Sequence, residues 1–131
     1  MAPSTMYTRV GLILYVQRYA ECVAFYRDLL ELRVLFETSE LTCFEFGNGY
    51  LMVELDDQQP PLQRQESHAA CLRLNVPNVK QFADLLSSRG ISVDYQEHPW
   101  GTVAKFLDPD GNLCAFKDDE KFEQQVRDGQ S

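Results

Sequence analysis

Two charged residues, Glu54 and Arg73, interrupt the apolar segments YLMVEL and CLRLNV. A buried charge is costly without a partner, so each of these side chains must meet an opposite charge or a ligand. One interpretation is an ion pair in a wet groove. The other is a small-molecule site, in which Glu54 meets a cation or a hydroxyl and the guanidinium of Arg73 binds a carboxylate or phosphate.

Two further residues, Trp100 and Cys71, have side chains that could take part in a ligand site. Trp100, the only tryptophan, is either a loop anchor packed on a sheet or an aromatic platform for a planar or cationic ligand. Cys71 is typical of a small buried hydrophobe, because no histidine stands where it would activate the thiol. The sequence predicts no catalytic residue, and the predicted ligand-binding residues are Tyr50, Met52, Glu54, Cys71, Arg73, Trp100 and Lys105.

The composition restricts the class of partner. A net charge of −8 argues against nucleic acid, because a phosphate backbone needs a basic surface. No apolar run is long enough to cross a membrane, and the first residues lack the order of a secretory signal. The four cysteines form no CxxC pair, which argues against a zinc ribbon or a redox motif. The expected setting is the cytoplasm, with a small molecule as partner and no nucleic acid or membrane.

The elements that would position these residues occur twice in the same order. Hydrophobic spacing and the turns at Asn48-Gly49 and DPDGN (108–112) indicate a strand, a helix and three strands, followed by the same series again. In the first copy the predicted strands are 10–16, 34–37, 41–46 and 50–55, with a helix at 19–30. In the second copy they are 69–76, 91–96, 102–107 and 113–117, with a helix at 79–88 that Asn78 would cap.

This order predicts an α+β fold of two tandem βαβββ modules, 7–55 and 68–118, within a single domain over 1–131. Residues 56–67 would be a linker, and 119–131 a charged tail, either a short exposed helix or disordered. Alternation places Tyr50, Met52 and Glu54 on one strand face, and Cys71, Arg73 and Asn75 on another. A curved, cup-like mixed sheet with helices on its outer face would turn these mixed faces toward a ligand cavity.

The sequence resembles the vicinal oxygen chelate superfamily, which contains glyoxalase I, bleomycin-resistance proteins and extradiol dioxygenases. The resemblance runs from about residue 10 to residue 117. It is carried by AFYRDLLEL (24–32), YLMVEL (50–55), LRLNVPNVKQFADLLSSRG (72–90) and PWGTVAKFLDPDGNL (99–113). The Pro-Trp-Gly segment followed by DPDGN looks more like the bleomycin-resistance branch than like glyoxalase I.

Metal-using members of this superfamily place one ligand on each of four strands, typically His or Gln, Glu, His and Glu. The resemblance puts these positions at Gly11, Glu54, Cys71 and Ala115, of which only Glu54 has the expected type. A divalent metal generally needs at least three protein ligands. A register shift of two residues offers no better set: Ile13, Met52, Arg73, and Leu113 or Lys117. Neither a metal nor another cofactor is therefore expected.

Three functions remain open at this point. The first is a metal-free binding protein that sequesters or carries a small organic ligand, such as a cationic or aromatic one, as resistance proteins do. The second is a metal-dependent lyase, isomerase or dioxygenase with unconventional ligands. The third is a dimeric interaction module with a vestigial cavity. A homodimer is expected, because the resemblance implies pairing that covers exposed sheet edges and apolar faces.

Overall fold

The computed structural model describes residues 7–56 and 69–130, which form an α+β structure. The first half begins with strand β1 (Arg9–Val16) and helix α1 (Tyr19–Ala24), which continues into a π-helical turn (Phe25–Leu29). Three strands follow: β2 (Val34–Glu37), β3 (Leu41–Phe46) and β4 (Gly49–Leu55). The second half contains β5 (Ala70–Val76), α2 (Val79–Ser88), β6 (Asp94–His98), β7 (Gly101–Leu107), β8 (Leu113–Asp118) and α3 (Asp119–Gln130).

One open sheet of eight strands joins the two halves, in the order β2-β3-β4-β1-β5-β8-β7-β6. Strand β1 is parallel to β4, and β5 is parallel to β8, so each half is built in the same way. The halves meet where β1 and β5 pair antiparallel at the centre of the sheet. The predicted fold class is confirmed.

Helices α1 and α2 cover one face of the sheet. Val23 of α1 packs with Phe44, Leu51 and Val53, and Phe82 of α2 packs in a separate cluster with Val76, Ala104 and Phe116. Asn78 caps α2 as predicted, since its side-chain oxygen accepts a hydrogen bond from the Gln81 backbone N–H at 3.0 Å. No helix among residues 7–56 and 69–130 is long and apolar enough to span a membrane.

The third helix lies on the opposite face, against the expectation of an exposed or disordered tail. Phe122 of α3 is fully buried, with its ring 4.3 Å from that of Tyr50 and 5.7 Å from that of Phe36, centre to centre. Phe122 thus anchors the helix, together with Val126, which packs on the same apolar cluster, and with the Arg9–Glu123 ion pair at 2.8 Å. The sequence pattern missed this because α3 presents few apolar residues, and their partners lie on distant strands.

One strand is displaced from its predicted position. The pattern predicts a strand at 91–96, but β6 begins at Asp94. The reason is the end of α2, where Gly90 adopts a φ of +83° and the Ile91 backbone N–H donates to the Leu86 carbonyl. Ile91 therefore belongs to the helix cap, which delays the strand. The predicted linker at 56–67 lies, after its first residue, outside the described residues.

Candidate functional site

A cavity of about 430 Å³ opens on the sheet face that carries α3. Strand β4 contributes Met52 and Glu54, β5 contributes Arg73 and β8 contributes Lys117. The remaining wall includes Trp100, just before β7, and Gln125 of α3. The cavity thus lies between the centre of the sheet and the C-terminal helix, and its size is that of a small-molecule site.

The side chain of Arg73 is held in position by the Tyr50 hydroxyl and, through that hydroxyl, by Asn75. Its Nε donates to the Tyr50 hydroxyl at 2.9 Å, and that hydroxyl donates to Asn75 Oδ1 at 2.8 Å. Burial raises the pKa of Tyr50 to about 12, so the phenol keeps its proton near neutral pH and can serve both bonds. Because Nε is held in this way, the position of the guanidinium in the cavity wall is set in advance.

Lys117 is the second buried cation of the cavity. Its side chain is fully shielded from bulk water, and Nζ donates to the Trp100 carbonyl at 3.1 Å. Nζ also lies 4.7 Å from the centre of the Trp100 ring. Burial, and then the neighbouring charge of Arg73, lower the pKa of Lys117 to about 7.

Neither Arg73 nor Lys117 forms an ion pair with a carboxylate of the described part of the chain. The interpretation that Glu54 and Arg73 pair with each other is therefore wrong. Two carboxylates do line the cavity, but Glu40 is exposed and Glu54 is half-buried, whereas both cations are buried. The most desolvated charges of the cavity are positive.

Trp100 forms part of the wall at the strand β7 end of the cavity. Its ring stacks on that of His98, with the ring centres 4.4 Å apart and an angle of 7° between the planes. The indole remains 46% exposed. This half-exposed ring beside a buried amine is suited to contact a bound molecule, and it provides a single fluorescent reporter.

The four positions implied for a metal do not form a metal site. A Cβ on Gly11 would lie 2.3 Å from ring atoms of Tyr50, so that ring occupies the place of the first ligand's side chain. Ala115 has no donor atom, and burial raises the pKa of the Cys71 thiol to about 11, which keeps it protonated. Across residues 7–56 and 69–130, no group of three His, Cys, Asp or Glu side chains could hold a metal ion.

The structure separates the predicted ligand-binding residues into three groups. Met52, Glu54, Arg73 and Trp100 line the cavity. Tyr50 and Cys71 are buried in the apolar cluster beneath α3, beside the cavity and not in its wall. Lys105 lines a separate, shallow groove with Asp94 and Leu107, at the β6–β7 edge of the sheet.

Four polar residues of the cavity wall were not among the predicted ligand-binding residues: Thr38, Glu40, Lys117 and Gln125. Lys117 lies two residues after Ala115 on the same face of β8, so strand alternation was a sufficient signal for it. Gln125 depends on the docking of α3, which no local pattern indicates. Its side-chain oxygen is buried and has no hydrogen-bond partner among the described residues.

Comparison with known proteins agrees with this architecture. The family model of the Glyoxalase/Bleomycin resistance protein/Dioxygenase superfamily matches residues 8–116. This chain therefore belongs to that superfamily. The comparisons do not single out the bleomycin-resistance branch, and no curated protein matches the sequence.

Several solved structures share the fold. An NAD-dependent benzaldehyde dehydrogenase from Legionella pneumophila has a TM-score of 0.67 at 18% identity, over 82% of this chain and 96% of that one. A superfamily member from Vibrio splendidus 12B01 has a TM-score of 0.57 at 19% identity, over 83% of this chain and 96% of that one. A methylmalonyl-CoA epimerase from Mycobacterium tuberculosis has a TM-score of 0.61 at 14% identity, over 89% of this chain and 91% of that one. At such identities the likeness concerns the fold alone.

Proposed function

We propose that this protein binds a small organic anion, without a metal, in the cavity between the sheet and α3. The observation that carries the proposal is the buried guanidinium of Arg73, together with the buried and partly charged amine of Lys117. Both line the cavity without an ion pair to any described carboxylate. Buried charges persist when something compensates them. A carboxylate or phosphate group of a ligand would supply that compensation.

The wall of the cavity restricts the rest of the ligand. Leu41, Met52 and Leu55 provide apolar contacts, and Trp100 offers an aromatic surface. A ligand with an anionic end and an apolar or aromatic body fits this distribution better than the cationic ligand that the sequence suggested. The superfamily includes both binding proteins and enzymes, and sequestration or transport is the function that needs nothing beyond these residues.

The two other functions are less well supported. A metal-dependent lyase, isomerase or dioxygenase would need donors that Gly11 and Ala115 cannot provide. A vestigial cavity is favoured by α3, whose Phe122 fills part of the sheet face, but about 430 Å³ is left beside it. A cytoplasmic location stays a prediction, in agreement with four cysteines that are all free.

The fluorescence of Trp100, the only tryptophan, tests the proposal directly. Titration with benzoate, phenylacetate, phenyl phosphate and the matched cation benzylamine should give saturable changes for the anions only. In parallel, the melting temperature should rise with anion concentration, as binding to the folded state requires. Saturable binding of benzylamine with no response to the anions would contradict the proposal.

Arg73→Met should weaken anion binding at least about tenfold, because it removes a charge-assisted, two-pronged contact. Arg89→Met is the matched control, since Arg89 is exposed at the end of α2, away from the cavity. If both variants bind the anions as tightly as the original protein, Arg73 is not the anion site.

A further inference from the structure

Lys117 has a chemical capacity that anion binding alone does not use. Its amine is held by two features of Trp100, the backbone carbonyl at 3.1 Å and the indole ring at 4.7 Å. The side chain is fully buried from bulk water, yet it forms part of the cavity wall. A fixed, desolvated amine beside a ligand cavity is a candidate nucleophile.

The charges around this amine favour its neutral form. Arg73 on β5 and Lys121 on α3 are positive neighbours, and they act in the same direction as burial. Asp118, the next residue on β8, acts in the opposite direction. The resulting pKa of about 7 means that a large fraction of Lys117 carries a free lone pair at neutral pH.

The backbone leaves room for the amine. Gly101 adopts a φ of +138°, and a Cβ at this position would lie 2.4 Å from Lys117 Nζ. A side chain at residue 101 would therefore collide with the amine. The absence of a side chain at Gly101 thus leaves free the space that Nζ occupies beside Trp100.

We propose that Lys117 is a nucleophile that forms an imine with a small oxo acid, whose carboxylate Arg73 holds. The inference rests on the proposed function, because the anion site positions the carbonyl carbon. Nζ adds to that carbon through its lone pair, the C=O π electrons move to oxygen, and a proton passes from nitrogen to oxygen. Loss of water from the resulting carbinolamine gives the imine, with no oxidant or reductant consumed.

Reductive trapping tests this step. The full chain is incubated with pyruvate and sodium cyanoborohydride, which converts the imine into a stable secondary amine, and the adduct is located by peptide mass mapping. The chain has three other lysines, Lys80, Lys105 and Lys121, as internal controls. Lys117 should be labelled at least about tenfold faster than these, because more of it is neutral. Acetone, which lacks the carboxylate, should label Lys117 more slowly than pyruvate does.

Two variants sharpen the result. Lys117→Met should abolish the mapped adduct, and Lys80→Met, which changes an exposed lysine of α2, should retain it. Mapping on the original protein does not depend on the folding of either variant. Even labelling of all lysines would overturn the imine. The imine would also be overturned if Trp100 fluorescence showed that pyruvate binds but no adduct formed. In that case the proposed anion site would still stand. Neither binding nor adduct for any anion would overturn both proposals.

Discussion

At the level of single residues, Tyr50 is the side chain that connects the position implied for a metal ligand with the proposed anion site. Its ring fills the space in front of Gly11, and its hydroxyl links Arg73 to Asn75. The same side chain thus occupies a position implied for a metal ligand and orients a cation beside it. The proposed anion site would lie beside the position implied for the metal, and Tyr50 bears on both, because it fills the space at Gly11 and orients Arg73.

The first prediction concerns this close fit. Gly11→Ala places a methyl group 2.3 Å from ring atoms of Tyr50, so the ring must move. Overpacking of this kind should lower the free energy of unfolding by roughly 1–3 kcal/mol, measured by urea denaturation. The double variant with Tyr50→Ala should be less destabilised than the sum of the two single variants. A Gly11→Ala protein as stable as the original would show that the ring is not tightly confined.

The second prediction concerns the pH dependence of stability that Lys117 causes. Its pKa is about 7 in the folded protein and near 10.5 in the unfolded chain, so the unfolded chain binds more protons between these values. The contribution of Lys117 to the free energy of unfolding therefore increases as pH rises from about 7 toward 10.5. This contribution is least favourable below pH 7.

Lys117→Met removes this dependence. The free energy of unfolding of the variant, minus that of the original protein, should fall by roughly 2–4 kcal/mol as the pH rises from about 6 to about 9.5. Urea denaturation at each pH measures the difference, and other titrating groups cancel in the comparison. Lys80→Met, at an exposed position, should follow the original protein throughout. A Lys117→Met curve parallel to the original would mean that the lysine is not desolvated.

At the level of elements, local patterns predicted what local interactions decide. Alternation assigned the faces of β4 and β5, and the Asn78 cap gave the start of α2. The start of β6 was missed because the cap of α2 extends to Ile91. The docking of α3 was missed for a different reason, since it depends on contacts of Phe122 with strands far away in sequence.

The third prediction tests the docking of α3. Gly129 lies against β2, where an added Cβ would be 2.5 Å from Phe36 Cβ and 2.6 Å from the Leu35 carbonyl oxygen. In an isolated helix, Gly→Ala would stabilise by about 1 kcal/mol. Here Gly129→Ala should instead destabilise and speed hydrogen exchange of the α3 amides, because the helix must move away from β2. Gln124→Ala, at an exposed position of the same helix, is the control. Slower exchange in the Gly129→Ala protein would contradict the close packing.

At the level of the whole molecule, α1 and α2 leave the centre of their sheet face uncovered. Val10, Leu12 and Leu72 of β1 and β5 are 46%, 38% and 44% exposed. Leu12 and Leu72 are paired directly across these antiparallel strands. In a symmetric dimer the same patch of each subunit faces its copy, so the apolar side chains of this patch would cover one another. The homodimer expected from the sequence stays a proposal, and this patch is where we place it.

The fourth prediction follows from that patch. Light scattering after size exclusion should give twice the chain mass of 15.1 kDa. Leu72→Lys should shift the protein to the monomer, because a charge would be desolvated at the centre of the apolar contact. Leu107→Lys is the matched control, since Leu107 is 49% exposed but lies on β7, away from the β1–β5 pair. If the original protein runs as a monomer at every concentration, or if both variants dissociate equally, the β1–β5 patch is not the interface.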